Sequence, residues 1–217
     1  MAVYDHEEQE QLSRIQAWWE SYGTAITTIV VIIAVSALSW QGWQWYENKQ
    51  AREASGIYFA LEQAAEAGNA AQARDAAGRL ISEYPRTLYA QMGALVAAGV
   101  QVVEAEPDHA RAQLEWVADS GQDAALRDIA RLRLAALLLD QGEFDAALNR
   151  LEEDVAPALR VRQFDLRGDV LAAQGRTDEA RTAYENVLET LREDANQGAQ
   201  ALGEVVRIKL ESLEAQG

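Results

Sequence analysis

The sequence contains no cysteine, which excludes disulfide frameworks, cysteine-ligated zinc sites and thiol nucleophiles. Prolines are scarce, with 3 in 217 residues, and the remaining composition is rich in Ala, Leu, Glu and Arg, as is typical of an all-helical chain. Basic residues are also few, because 19 Lys and Arg stand against 35 Asp and Glu and give a net charge of −16. A nucleic-acid binder needs a basic face to neutralise phosphates, so this charge argues against nucleic-acid binding.

Patterns for catalysis or metal binding are missing as well. The run HEEQE at 6–10 resembles the zinc-binding pattern HExxH, but Glu10 stands where the second histidine is required. The other histidine, His109, lies far along the chain, and acidic clusters such as 152–154 lack the spacing of a calcium-binding loop. We therefore predict a non-enzymatic protein with no catalytic residues, no cofactor and no metal site.

A long uncharged run lies near the start of the chain. Residues 21–46 contain no Asp, Glu, Lys or Arg, and their centre, AITTIVVIIAVSALSW, is continuously apolar. As a helix this run spans roughly 39 Å, which exceeds the ~30 Å hydrocarbon core of a bilayer. Trp and Tyr rings favour membrane–water interfaces, so their presence at both ends predicts one transmembrane helix. These rings are Trp18, Trp19 and Tyr22 at the near end and Trp40, Trp43, Trp45 and Tyr46 at the far end.

Two alternatives to a permanent transmembrane helix fit this run less well. A cleaved signal peptide needs a basic start and a shorter apolar stretch, whereas residues 1–20 carry five acids and a single base, Arg14. A buried core helix is the other alternative, and an uncharged run of this length with aromatic rings at both ends argues against it. The flanking charges do not fix the orientation, because the two ends carry similar numbers of basic residues. Arg14 precedes the run, and Lys49 and Arg52 follow it.

Small and polar residues share one helical stripe within the uncharged run. Small side chains let a second helix approach closely, and the Gln41 amide can hydrogen-bond across such a contact. The stripe therefore predicts a face for a partner's transmembrane helix, and the alternative is that an apolar run holds small residues by chance. The stripe consists of Gly23, Thr27, Val30, Ala34, Ala37 and Gln41.

The rest of the chain repeats itself. The segment DQGEFDAALNRL at 140–151 aligns without gaps on AQGRTDEARTAY at 173–184, and two fainter copies lie at 65–85 and 105–117. The spacing of the aligned turns is close to the 34-residue period of tetratricopeptide repeats, which are pairs of helices that stack into a solenoid. The turns fall at Gly68, Ala105, Gly142 and Gly175, and three of the four are glycine because the turn needs a backbone conformation that other residues adopt at a steric cost.

Small residues within each copy indicate how the two helices of a pair pack. Ala135 and Gly168 lie where the first helix meets the second, and Ala147 and Ala180 let the second helix approach closely. We predict an all-α fold with one N-terminal transmembrane helix, which continues into the first repeat, and an α-solenoid of about four helix pairs. A capping helix at about 197–214 closes the solenoid. The predicted polar outer face of this cap holds Glu204, Arg207, Glu211 and Glu214.

The first helices of the pairs supply the predicted binding groove on the concave face of the solenoid. An apolar floor with a charged rim fits a hydrophobic peptide, which is either a partner's tail or an unfolded client. The alternative is that these side chains pack in the core of the solenoid. The floor residues are Met92, Leu95, Val102 and Val103 in the second unit and Ile129, Leu132, Ala136 and Leu139 in the third. The rim residues of the fourth unit are Arg162, Asp165 and Asp169.

Three features together resemble the YfgM family, the ancillary subunits of the bacterial Sec translocon. They are the acidic start with Trp18-Trp19 before the uncharged run, the segment GWQWY at 42–46, and the block DLRGDVLAAQGRTDEARTAYE at 165–185. The block alone is common among repeat proteins, whereas its combination with the aromatic edge is much more specific. The resemblance covers almost the full length of the chain.

This resemblance implies a single-pass protein of the bacterial inner membrane with its N-terminus in the cytoplasm. Residues 1–20 are then a short acidic cytoplasmic segment, 21–46 the transmembrane helix, and 47–217 a periplasmic tetratricopeptide-like domain. The implied partners are the lipid bilayer, subunits of the Sec translocon, a membrane-anchored periplasmic chaperone of the prolyl-isomerase-like type, and exported client polypeptides. The alternative function is assembly of the outer membrane or cell wall on the same repeat scaffold.

Overall fold

The structure, a computed structural model, describes residues 4–192 and 197–214, and the side chains of 14–192 and 200–214. Parts of the predicted segments, namely residues 1–3, 193–196 and 215–217, lie outside the described residues. Every element in the described part is helical, which confirms the all-α prediction. The helices are α1 (Tyr4–Glu66), α2 (Ala70–Glu83), α3 (Leu88–Val103), α4 (Pro107–Ser120), α5 (Ala124–Asp140), α6 (Phe144–Arg150), α7 (Arg160–Ala173), α8 (Thr177–Arg192) and α9 (Gln197–Glu214), with a short 3-10 helix at Pro157–Leu159.

The chain divides into two compact units, Met1–Gln50 and Ala51–Gly217. The first unit contains the uncharged run as part of α1, which is long and apolar enough to cross a membrane, with a mean hydropathy of 1.9 in its best window. The apolar side chains of this run are exposed, as the exposed fractions of Ile29 (56%) and Leu38 (68%) illustrate. A core helix buries such side chains, so the buried-core alternative does not fit the structure.

Several hydroxyl groups inside the uncharged run donate hydrogen bonds to carbonyl oxygens of the same helix. Thr28 donates a hydrogen bond to the carbonyl oxygen of Thr24 at 2.8 Å, and Ser36 donates to Ile32 at 2.8 Å. Ser39 repeats this contact with the carbonyl oxygen of Val35 at 2.8 Å. No water is available in the hydrocarbon core, so these internal bonds let polar residues occupy an apolar surrounding at low cost.

The second unit is a stack of helix pairs. The part of α1 from Ala51 onward pairs with α2, and α3 with α4, α5 with α6, and α7 with α8 follow, before the single helix α9. The predicted four pairs and final helix are therefore confirmed, as is the continuation of α1 into the first repeat. Apolar side chains form three clusters along the stack, and Trp116 and Leu148 each pack against two neighbouring clusters. The buried core is thereby continuous from pair to pair.

All four predicted turns have the same backbone geometry. In each, the turn residue has a positive φ, and two backbone N–H groups bond back to carbonyl groups at the end of the preceding helix, which is the Schellman arrangement. At Gly142, for example, the Gly142 N–H bonds to Leu139 and the Glu143 N–H to Leu138, at 3.0 and 2.9 Å. The φ values are 67° at Gly68, 59° at Ala105, 75° at Gly142 and 75° at Gly175.

Ala105 adopts this left-handed conformation although it carries a Cβ atom, so we expect a pair of opposite substitutions to show the strain. Ala105→Gly should stabilise the chain by about 0.5–1 kcal/mol, and Gly142→Ala should destabilise it by about 1 kcal/mol. A Cβ atom at Gly142 meets nothing within 4 Å, so its cost is conformational and not steric. Urea unfolding of the full chain, followed by circular dichroism, measures both effects. Equal shifts of the same sign would contradict this assignment of strain.

Gly168 lies directly against the Tyr184 ring, where the two helices of the fourth pair meet. The Tyr184 ring lies over the Gly168 backbone, and a Cβ atom built at Gly168 would overlap the ring atoms. The predicted small positions Ala135, Ala147 and Ala180 are likewise fully buried. These residues are small because α7 and α8, like the helices of the third pair, pack at a distance that leaves no room for larger side chains.

Ion pairs at equivalent positions join the first three pairs. Arg74 on α2 bonds to Glu106 at 3.1 Å, and Arg111 on α4 bonds to Glu143 at 2.7 Å. Each arginine lies six residues after its turn, and each glutamate directly follows the next turn. At the third junction Leu148 stands at the arginine position. At this position Leu148 instead makes apolar contacts with two core clusters.

Buried polar side chains fix the loops that connect one pair to the next. The Gln91 Oε1 atom accepts a hydrogen bond from the backbone N–H of Asp123 at 3.0 Å, and the Asp128 Oδ2 atom accepts one from Ala156 at 3.0 Å. Gln91 and Asp128 both lie fourteen residues before their turns, which makes them equivalent positions of the repeat. Their burial is compensated by these bonds, because an unpaired buried polar group is costly.

Candidate functional site

A groove between α3 and α5 is an apolar concave feature of the repeat domain. Its volume is about 330 Å³, and most of its lining is apolar. Two charged side chains, Arg133 and Asp140, stand at its edge. Such a groove can accept apolar side chains of a peptide while the charges orient its polar groups. The lining residues are Ala98, Gly99, Val102, Leu114, Arg133, Ala136, Leu137 and Asp140.

Small residues at matching positions open this groove. Gly99 and Ala136 each lie six residues before their turns, one on α3 and one on α5. A Cβ atom at Gly99 would meet nothing within 4 Å, so the space above it is free among the described residues. Arg133 crosses to α3 and donates to the carbonyl oxygen of Leu95 at 3.0 Å. This bond fixes the spacing of the two helices that form the walls.

The predicted floor residues are divided between the groove and the core. Val102 is 45% exposed and lines the groove, as does Ala136, and Val103 is 82% exposed. Leu95 and Leu132 are only 6% and 5% exposed and belong to the core, which is the placement expected by the alternative interpretation. The half-buried members of the predicted set are Met92, Ile129, Ala136 and Leu139.

Gly99, Arg133 and Asp140 were missing from the predicted set, although a signal for them exists in the sequence. One face of α5 is exposed or half-exposed along its length. It consists of Ile129, Arg133, Ala136 and Asp140. Leu132 lies one residue away from that face, which turns its side chain by 100° toward the neighbouring helices. The predicted floor was selected by apolar character and not by position on one face of the helix. It therefore included residues of the core.

The predicted rim of the fourth unit is occupied by the cap. Lys209 of α9 donates to Asp165 at 2.6 Å and to both carboxylate oxygens of Asp169 at 2.7 and 2.9 Å. Arg162, which is exposed, donates to the other oxygen of Asp165 at 2.9 Å. The Asp165 side chain is only 3% exposed, so this carboxylate serves to hold α9 and not to contact solvent.

Tyr184 completes this cluster from α8. Its hydroxyl group donates to Asp169 at 2.7 Å, and the Lys209 ammonium lies 5.5 Å from the centre of its ring. Burial of the phenol raises the pKa of Tyr184, and the nearby carboxylates of Asp169 and Asp165 raise it further. The hydroxyl therefore stays protonated and remains a hydrogen-bond donor at physiological pH. The sequence analysis did not identify Lys209, because a lone lysine on a polar helix carries no recognisable pattern.

The predicted transmembrane partner face is exposed except at its first residue. Thr27, Ala34, Ala37 and Gln41 are exposed, as a surface for a second helix requires. Gly23 is buried, because the indole of Trp19 folds over it, and a Cβ atom at Gly23 would lie 3.0 Å from the ring. Within the described residues, no group of three or more His, Asp or Glu side chains is placed to hold a metal ion.

The four left-handed turns, the stacked helix pairs and the long apolar helix define an anchored repeat protein. The chain belongs to the family of the tetratricopeptide repeat-like domain, whose model matches residues 16–215. This match includes the whole uncharged run, residues 21–46, as well as the stack of helix pairs. The predicted resemblance to the YfgM family is confirmed by relatives of nearly the same length.

Three curated relatives carry the name ancillary SecYEG translocon subunit. The protein of Neisseria gonorrhoeae is 29% identical over 216 residues, which cover 95% of this chain and 97% of the relative. The Haemophilus influenzae protein is 24% identical, with 97% and 100% covered, and the Aggregatibacter actinomycetemcomitans protein is 27% identical, with 86% and 91% covered. The similarity therefore includes the apolar helix together with the repeats.

Proposed function

We propose that this protein is a non-enzymatic ancillary subunit of the Sec translocon. The observation that carries the proposal is the nearly full-length similarity to three relatives of that name. A repeat shared by many proteins would produce a match to residues 51–217 alone, whereas here the match extends through the apolar helix. The architecture supports this function, because an anchored stack of helix pairs offers surfaces for binding other proteins.

We propose that the N-terminus lies in the cytoplasm and the repeat domain in the periplasm of a bacterial inner membrane. The uncharged run of α1 is long enough for a single crossing, with residues 1–20, 21–46 and 47–217 as the three segments. The absence of cysteine is compatible with an oxidising compartment. In this orientation the repeat domain stands where exported chains emerge from the channel.

The repeat domain is proposed to link the channel to a membrane-anchored periplasmic chaperone of the prolyl-isomerase-like type and to emerging client polypeptides. The groove over Gly99 supports this assignment, because it is apolar, open and edged by charged side chains. Within the membrane, the face formed by Thr27, Ala34, Ala37 and Gln41 is proposed to contact a helix of the translocon or the chaperone. Ile32 and Ile33 then face lipid.

Cross-linking in intact membranes, followed by identification of the cross-linked proteins, tests the proposed function. We expect translocon subunits to be recovered with the parent chain. Replacing Ala34 and Ala37 by Leu should reduce that recovery, because larger side chains keep a second helix at a distance. The matched control replaces Ile32 and Ile33 by Ala, which should leave recovery unchanged.

Two results would contradict the proposal. Recovery of outer-membrane or cell-wall assembly proteins without translocon subunits would favour the alternative function of an envelope assembly factor. Equal losses from the Ala34/Ala37 and the Ile32/Ile33 variants would remove the argument for a specific helix face.

A further inference from the structure

Helix α9 exposes apolar side chains on one side. Val205 is 49% exposed and Ile208 is 59% exposed, whereas Val206 and Leu213 of the same helix are buried against the fourth pair. Single exposed apolar residues are common on protein surfaces, so their exposure alone indicates little. Their position in the repeat is more informative.

Hydrogen bonds to the preceding helix pair show which position of the repeat α9 occupies. Arg133 on α5 reaches back to α3, the first helix of the preceding pair, and Lys209 on α9 reaches back to α7 in the same way. Helix α9 thus stands as the first helix of a fifth pair. Ile208 precedes Lys209 as Leu132 precedes Arg133. Leu132 is 5% exposed in an apolar cluster that includes Leu166 and Val170 of the fourth pair, whereas no described helix follows α9 to cover Ile208.

The charges beside these apolar residues are mainly negative. Glu204, Glu211 and Glu214 are exposed on α9, and Arg207 is the single exposed cation, bonded to Glu204 at 3.0 Å. Lys209, the other cation of the helix, is neutralised by two aspartates of α7. The surrounding repeat domain is acidic too, because residues 51–217 hold 29 acidic and 17 basic residues. A ligand with basic side chains therefore complements this surface.

We propose that the end face of α9, formed by Glu204, Val205, Ile208 and Glu211, is the docking site for an amphipathic helical segment of another protein, with apolar side chains and a basic flank. The incoming helix takes the place of the next helix of the solenoid. Its apolar side chains cover Val205 and Ile208, and its Lys or Arg side chains meet Glu204 and Glu211. This surface is separate from the groove between α3 and α5, and the proposal does not depend on the proposed translocon role.

The sequence has no cysteine, so one engineered thiol reports on a single position. The experiment uses the full chain with Ile208→Cys and a synthetic helical peptide of Leu, Ala and Lys that ends in cysteine. Phe59→Cys is the matched control, because Phe59 is 61% exposed on a different helix and does not line the groove between α3 and α5. Disulfide formation with the peptide should be about tenfold higher in the Ile208→Cys chain, a ratio that corresponds to ~1.4 kcal/mol. High salt should reduce this preference, because it screens the charge contacts.

Three results would overturn the proposal. The first is equal disulfide formation in the Ile208→Cys and Phe59→Cys chains. The second is an equal or higher yield of the disulfide with a peptide in which Glu replaces Lys. This result would show that Glu204 and Glu211 do not favour a basic peptide. The third is a dominant disulfide between two Ile208→Cys chains in the absence of peptide, which would identify a second copy as the occupant. Thermal unfolding of both variants should match that of the parent, since neither side chain is buried.

Discussion

Replacing Leu132 by aspartate is expected to cost about 4 kcal/mol or more of folding free energy and to remove the cooperative unfolding of the repeat domain. The Leu132 side chain is 5% exposed within the central apolar cluster, which also contains Ala94 and Leu134. A carboxylate placed there has no cation within its cluster and loses its hydration. Leu95, which is 6% exposed, should respond in the same way to aspartate.

The matched control for this prediction is Val103→Asp, because Val103 is 82% exposed at the end of α3. Its effect should stay within about 0.5 kcal/mol, as is usual for surface substitutions. Thermal unfolding of the full chain, followed by circular dichroism, compares the variants. Parent-like unfolding of the Leu132→Asp chain would show that this side chain faces an open groove and not the core.

The second large effect is expected at the junction with the cap. Lys209→Met should destabilise the chain by about 2–3 kcal/mol, because it leaves the carboxylates of Asp165 and Asp169 without their shared cation. Asp165 is the more costly of the two, since its side chain is 3% exposed and retains only Arg162 as an ionic partner. Urea unfolding of the full chain measures this loss.

Arg207→Met, on the same helix, is the control for Lys209→Met. Arg207 and its partner Glu204 are more than 60% exposed, so the loss of this pair should cost no more than about 0.5 kcal/mol. Similar losses from the two substitutions would contradict the assignment of Lys209 as the residue that holds α9 on the fourth pair.

Much of the fold could be predicted because the repeats leave a periodic signal. The turns at Gly68, Gly142 and Gly175 were found from glycine and flanking small residues, and all three have the left-handed φ that glycine favours. Ala105 was found only from its spacing and has the same conformation at φ 59°. The stacking of the helix pairs imposes this left-handed turn even on an alanine. The spacing of the repeats therefore predicted the turns more reliably than the presence of glycine.

The binding surfaces were harder to predict than the helices. Apolar character places Leu132 and Val102 in the same class, whereas the structure buries the first and exposes the second. The distinction depends on which neighbouring helix covers each position, and that is set by contacts between residues of different repeats. The ionic cluster of Lys209 with Asp165 and Asp169 likewise joins residues at least 40 positions apart in the sequence. No local sequence pattern therefore predicts it.

In the proposed orientation the repeat domain lies on the exit side of the export channel, anchored by the uncharged run of α1. Protease added to spheroplasts with an intact inner membrane tests this orientation. We expect protease to remove the repeat domain, residues 47–217, and to leave a small membrane-protected fragment with the N-terminus. Survival of the repeat domain until the membrane is lysed would place it in the cytoplasm and contradict the proposed orientation.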